Sequence, residues 1–172
     1  MSVPTPARQT EHDRRPIEVP LAVAPARDVA AAVMVAEDGR YLLQLRDDFP
    51  HIHLPNHWAL FGGGIEPGER PERTIRRELA EELGWTARAV MPLAVSVHAL
   101  PPEGLAWRMH FFVVPFRSDE MAGMALAEGA AKGLFTLAEA GALERVAPWD
   151  LCAMMLHARM GGLFPAFAGF GE

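Results

Sequence analysis

The sequence predicts an α/β fold: a mixed, mostly antiparallel sheet between two helices, arranged as an α/β/α sandwich. Apolar, β-branched or aromatic runs recur between turn residues at 29–35, 41–45, 58–61, 89–100 and 105–116. Two segments, 71–83 and 148–160, carry proline at the first helical position and glycine just past the end. Helices that bury one stripe against a sheet must lie on its faces, which gives the layers.

In chain order, residues 1–27 hold Pro4, Pro6, Pro16, Pro20 and Pro25 among charged and small residues, a composition that resists helix and central strand alike. This arm is expected to be mobile or draped over the domain. Val29–Val35 reads as a buried strand, Glu37-Asp38-Gly39 as a turn and Tyr41–Leu45 as the antiparallel partner. Asp47–His57, with two prolines and three histidines, is a loop of the length that carries specificity. Trp58–Phe61 reads as a short strand that Gly62-Gly63-Gly64 ends, and a helix of about fourteen residues follows from Pro71 to the residue before Gly84.

Residues 89–100 and 105–116 then form a second hairpin across Pro101-Pro102-Glu103-Gly104, Leu134–Thr136 a short strand, and Pro148–Met160 the C-terminal helix. The expected domain is 28–160, followed by an apolar Gly/Phe-rich tail at 161–172 that would seek cover and so raises a homodimer as an expectation. A length of 172 residues suits one such domain.

Half the residues are apolar and 22% are charged, the balance of an ordinary globular chain. A net charge of -6 argues against general nucleic-acid binding, which needs a basic surface. An acidic protein that handles an anionic substrate must concentrate Lys and Arg locally or recruit a cation. The single cysteine, Cys152, allows no intramolecular disulfide and suits a reducing cytoplasm; in the stretch Leu151–Leu156 it reads as a small buried hydrophobe. No apolar run nears the roughly 20 residues needed to span a bilayer, and the acidic, proline-broken start does not read as a signal peptide.

The chemistry concentrates in the segment from Gly62 to Trp85. Glu78, Glu81 and Glu82 stand at i, i+3 and i+4, projecting their carboxylates from one helix face within about 6 Å along the axis. A solvated acidic face with Arg73, Arg76 and Arg77 as partners, over a buried stripe of Ile75, Leu79 and Leu83, is the plain structural alternative. The glycine loop leading into the helix favours a site instead. Clustered oxygen donors beside free backbone carbonyls suit a hard cation such as Mg²⁺.

The arrangement Gly63, five residues, Glu69, seven residues, Arg77-Glu78-Leu79, one residue, Glu81-Glu82, one residue, Gly84 and an apolar residue resembles the Nudix box at every fixed position. The resemblance implies a Nudix fold and a Mg²⁺-dependent hydrolase, with Mn²⁺ as a substitute. Such an enzyme cleaves the diphosphate linkage of a nucleoside diphosphate joined to another moiety, by attack of water on phosphorus: a nucleoside triphosphate, a nucleotide sugar or an ADP-ribose type of molecule. Glu78 and Glu82 become the principal metal ligands, Glu81 a ligand or base, and the Gly62 carbonyl a further ligand. Arg77 is expected to pair with Glu69 from the loop, since it cannot face the same way as Glu78, and together they orient the site.

Glu128, before Gly129, resembles the acidic residue that several members carry downstream, as general base or extra ligand; an exposed loop glutamate is the other reading. Arg46 resembles a phosphate or ribose contact, a surface arginine being the alternative. With Arg46, the substrate-binding set comprises Gly63, Trp58 and Phe61; the two rings stack on a base or simply pack the core. The chain departs from the family pattern at Phe61, at Trp85 and at Gly64, where some members carry a side chain, often basic, so no phosphate contact is expected from that position.

Three other readings compete with this one. A non-catalytic Nudix-fold sensor of a nucleotide derivative, or a partner-binding module, is the main alternative, but such proteins usually lose box carboxylates that this chain keeps. An isopentenyl-diphosphate isomerase needs a cysteine in the site, and Cys152 lies in the C-terminal helix. A zinc site at His51, His53 and His57 lacks a cysteine and matches no compact ligand spacing.

Overall fold

A computed structural model describes residues 25, 27–100 and 105–160. Of the expected arm at 1–27, residues 1–24 and 26 lie outside the described residues, as do the turn at 101–104 and the tail at 161–172. The elements are β1 (Arg27–Ala36), β2 (Tyr41–Leu45), β3 (Trp58–Ala59), β4 (Phe61–Gly64), α1 (Pro71–Leu83), β5 (Met91–Leu100), β6 (Leu105–Phe116), β7 (Ala131–Phe135), α2 (Leu137–Ala142) and α3 (Pro148–Met160).

Strand β1 organises the sheet. One edge runs parallel to β6 from Arg27↔Trp107 to Ala36↔Phe116, while the other is divided between β4 (Val29↔Gly64) and β2 (Met34↔Leu42), both antiparallel. Strands β3 and β7 extend the β2 side and β5 the β6 side. Side chains alternate across a strand, so β1 feeds two cores. Ala30, Ala32, Met34 and Ala36 pack with Ile75, Leu79 and Leu83 of α1. Ala31, Val33 and Val35 pack with Ala140 of α2 and Ala153 and Met154 of α3. A strand buried on both faces must be apolar throughout, as Val29–Val35 is. The result is the expected α/β/α arrangement.

Helix α1 starts and stops where its punctuation requires. Pro71 takes the first position, and Gly84 adopts the left-handed conformation (φ 59°) while the Trp85 N–H returns to the Leu79 carbonyl at 3.3 Å. The short helix α2 is an element beyond those the sequence predicts, and Thr136 and Glu139 cap its start reciprocally.

Two expectations are corrected. Trp58–Phe61 is not one strand ended by glycine: Leu60 gives its N–H to Asp150 Oδ2 (2.9 Å), and the chain passes from pairing with β2 to pairing with β1. The three glycines are strand residues. Gly62 has φ 137°, and a Cβ there would lie 2.2 Å from the Ala30 carbonyl oxygen, so only glycine lets β4 lie this close to β1. Cys152, expected to be buried, is exposed on α3, because the buried face of that helix is taken by Asp150, Ala153, Met154 and His157.

Candidate active site

The β4 glycines lie beneath α1, and the absence of side chains there leaves room for carboxylates. A Cβ on Gly63 would stand 2.3 Å from Glu78 Oε1. Glu78, Glu82 and Glu128 line one solvent-open cavity with Gly62, Gly63, Gly64, Gln44, Arg46, Asp47 and Arg27, about 700 Å³ counting its open side.

Glu82 is the most enclosed, at 5% exposure. One carboxylate oxygen accepts the Gly62 N–H (3.1 Å) and the other the Gln44 side-chain amide (3.3 Å). Burial pushes its pKa up to about 8, opposed by those hydrogen bonds and reinforced by Glu78 and Glu128. Burial likewise raises Glu78, against the pull of Arg77. Glu128 is brought to the cavity because its loop is fastened to the end of α1: the Ala127 N–H donates to the Glu82 carbonyl (2.8 Å) and the Ala125 N–H to that of Leu83 (2.9 Å). Gly129, at φ 88°, turns the chain there and donates to Asp47 Oδ2.

Arg77 is the hub of the rim. It reaches both Glu69 oxygens at 3.0–3.1 Å, Glu78 Oε1 at 2.8 Å, Glu81 Oε2 at 3.0 Å and the Gly64 carbonyl at 3.2 Å. Pairing with Glu69 is thus observed, but Arg77 also turns toward Glu78: its long side chain bends back across the helix, which helical spacing alone does not foresee. The Arg77 hydrogen bonds, with help from the Thr74 hydroxyl, pull Glu69 down to about 2. Glu81 separates from the other two helix glutamates; its side chain is 59% exposed, is held by Arg77 and does not line the cavity.

Arg46 donates to the His53 carbonyl (2.9 Å) and lines the cavity. Phe61 is fully buried under α1, and Trp58 packs edge-on against Phe135 at 4.7 Å in the opposite core. Of the two uses open for these rings, packing is the one they have. Gly63 contributes backbone lining. The three loop histidines go to three places: His51 stacks on Phe49, His53 on Trp149, and His57 Nδ1 pairs with the Pro55 carbonyl. They do not meet at one point.

Sequence reasoning missed Arg27, Gln44 and Asp47. The signal for Arg27 was Gly64: a Cβ there would stand 2.7 Å from the Arg27 guanidinium, which fills the space a side chain at 64 would take.

Among the described residues no three acidic, His or Cys side chains already surround one point. Glu78 leans to Arg77, and Glu82 to the Gln44 and Gly62 donors. The donor set nonetheless fits a hard divalent cation. It is all oxygen, and the buried Glu82 carboxylate has no Lys or Arg partner among the described residues, a charge that burial penalises until a cation compensates it.

With this sheet, glycine strand and carboxylate helix in place, the NUDIX domain model matches residues 25–155. The chain belongs to the NUDIX domain family. It is 51% identical over 51 residues to the nucleoside triphosphatase NudI of Escherichia coli O1:K1 / APEC, a match covering 30% of this chain and 36% of that protein. The match therefore spans about a third of the length of that curated relative. Among solved structures, the MutT NUDIX hydrolase from Burkholderia pseudomallei superposes with TM-score 0.64 at 26% identity over 76% of this chain and 96% of that one. The NUDIX domain of Shewanella oneidensis NrtR, complexed with ADP ribose, gives 0.65 at 18% over 88% and 98%, a likeness of fold. No helix among the described residues is long and apolar enough to cross a membrane.

Proposed function

We propose that this chain is a metal-dependent hydrolase of a nucleotide-type diphosphate linkage, with nucleoside triphosphates as the first substrates to test. The observation that carries the reading is the cavity that Glu78, Glu82 and Glu128 line above side-chain-free glycines, beside two arginines. The partial match to NudI supports the triphosphate choice.

Glu78 and Glu82, with the Gly62 carbonyl, would hold Mg²⁺ or Mn²⁺. The ion would supply Lewis acidity and neutralise diphosphate oxygens that the carboxylates otherwise repel. Arg46 and Arg27 bind phosphate oxygens from the rim; Arg27 thereby takes the role that Gly64 leaves vacant. Glu128, which comes from a separate segment, accepts a proton from the attacking water as its oxygen bonds to phosphorus and the bridging P–O bond breaks. Arg77 holds Glu78 in place and keeps Glu69 ionised, while Glu81 helps to position Arg77 rather than acting as the base.

Glu82→Gln keeps the shape and an oxygen for the Gly62 N–H, but removes the charge and sets an NH₂ against the Gln44 side chain. It should lower Mg²⁺-supported turnover by roughly 100-fold or more with an unchanged circular dichroism spectrum. Near-wild-type turnover would overturn the assignment. A binding-only sensor, the second reading, would show stoichiometric nucleotide binding and no product with either metal.

A further inference from the structure

Glu128 is exposed, and among the described residues no hydrogen bond or ion pair holds its carboxylate, so its place at the cavity is set by its backbone. The segment that carries it crosses from the end of α1 to the end of β2, tied down by four N–H groups. Ala125 and Ala127 donate to the Leu83 and Glu82 carbonyls (2.9 and 2.8 Å), which the end of a helix leaves without intrahelical partners. Gly129 and Ala130 donate on the other side, to Asp47 Oδ2 (3.1 Å) and the Leu45 carbonyl (2.8 Å). Glu128 stands between the two pairs of anchors.

Three of the four acceptors are main-chain carbonyls, which any sequence supplies; the fourth is the Asp47 side chain. A carboxylate that accepts a backbone N–H makes a charge-assisted bond, stronger than one between neutral groups. Asp47 is itself held in place. Its carbonyl accepts the Asn56 N–H (3.2 Å), and the Arg46 N–H just before it donates to the His57 carbonyl (2.9 Å). The strap lies directly on β2: a Cβ on Gly129 would stand 2.9 Å from the Leu45 carbonyl oxygen and 3.1 Å from Gln44 Oε1. A general base must lie within about 2.6–3.2 Å of the atom it deprotonates, and small displacements are costly. An exposed glutamate whose carboxylate has no partner meets that demand only if its backbone is fixed.

We infer that Asp47 is a positioning residue for the hydrolytic reaction: by accepting the Gly129 N–H it fixes the strap, and with it the place of Glu128 beside the attacking water. The inference rests on the proposed role of Glu128 as acceptor of the water's proton. Asp47 acts here as a hydrogen-bond acceptor and touches neither cation nor substrate. Its side chain comes from a residue that lines the same cavity as Glu78 and Glu82, so ligation of the cation is the use that a test must separate from positioning.

Asp47→Asn keeps a carbonyl oxygen for the Gly129 N–H and loses the charge, whereas Asp47→Ala loses both. The test uses whichever of ATP, GTP, CTP and UTP wild type cleaves best. Asp47→Ala should lower kcat by about 10-fold or more, with KM and the Mg²⁺ concentration for half-maximal rate within about 2-fold of wild type. Asp47→Asn should keep kcat within about 3-fold. In a Glu128→Gln background, Asp47→Ala should cost less than about 2-fold, because its effect passes through Glu128. Unchanged kcat in Asp47→Ala, an asparagine variant as impaired as the alanine one, a raised Mg²⁺ requirement, or an undiminished loss in the Glu128→Gln background would overturn the inference. If wild type hydrolyses no triphosphate, the function proposed above fails separately, and the strap is read by amide hydrogen exchange. Asp47→Ala should then speed exchange at Gly129 by about 10-fold or more and Asp47→Asn by less than about 3-fold; equal rates in wild type and Asp47→Ala overturn the inference. Should Asp47→Ala not fold, wild type decides: the Gly129 amide should exchange at least about 10-fold more slowly than in an unfolded chain, and absence of that protection overturns the inference.

Discussion

Arg77 shows how one side chain can order a site it does not belong to chemically. It ties Glu69, Glu78, Glu81 and the Gly64 carbonyl into one rim, so the position of Glu78 depends on a planar, forked group. Arg77→Lys keeps the charge and loses the fork. It should lower turnover about 10- to 100-fold and raise the Mg²⁺ concentration for half-maximal rate, read by metal titration; an unchanged metal requirement would remove Arg77 from this role. At this scale the sequence was partly legible. Spacing of four places Glu78 and Glu82 about 40° apart around the axis, but Glu81 and Glu82 are about 100° apart. Which of them faces the cavity is decided by how α1 lies on the sheet, and packing leaves Glu81 in solvent.

Among the elements, β4 and α1 act as a pair. Gly62→Ala would drive a Cβ into the β1 backbone and hold an L residue at φ 137°, so it should destabilise the fold by at least about 2 kcal/mol, seen as a lowered denaturation midpoint. Gly63→Ala meets a side chain instead. It should displace Glu78 and reduce turnover about 10-fold or more at a smaller stability cost, so the two neighbouring substitutions separate folding from function. Strands and helices with their own local punctuation, such as α1 between Pro71 and Gly84, could be read from the chain. The division of 58–64 into β3 and β4 could not: it depends on Asp150, 90 residues away, taking the Leu60 N–H.

At the scale of the whole molecule, two carboxyl groups from distant segments are buried among the described residues, and they set the response to pH. Glu82 is raised to about 8 and Asp150 to about 7, both above the ordinary carboxylate range, so the folded chain holds these protons more tightly than the unfolded one. Their stabilising contribution is full below about pH 4 and is lost as pH rises through the folded values. The metal-free protein should therefore melt at a lower temperature at about pH 8 than at about pH 5, and Mg²⁺ should recover part of the loss by binding ionised Glu82. Scanning fluorimetry with EDTA or Mg²⁺ checks both; a metal-free melting temperature that rises over this interval would contradict the burial argument. The glutamates of α1 were legible because they are close in sequence. The cavity lined by Trp107, Trp149 and Asp150 was not, since β6, α3 and the loop at 46–57 meet there only after folding. The central claim, that the Glu78–Glu82–Glu128 cavity cleaves a diphosphate with the help of a divalent cation, is tested most directly by phosphorus NMR of a nucleoside triphosphate incubated with the protein. The expected result is nucleoside monophosphate and pyrophosphate forming with Mg²⁺ and ceasing with EDTA; an unchanged triphosphate spectrum across all four common bases with either Mg²⁺ or Mn²⁺ would contradict it.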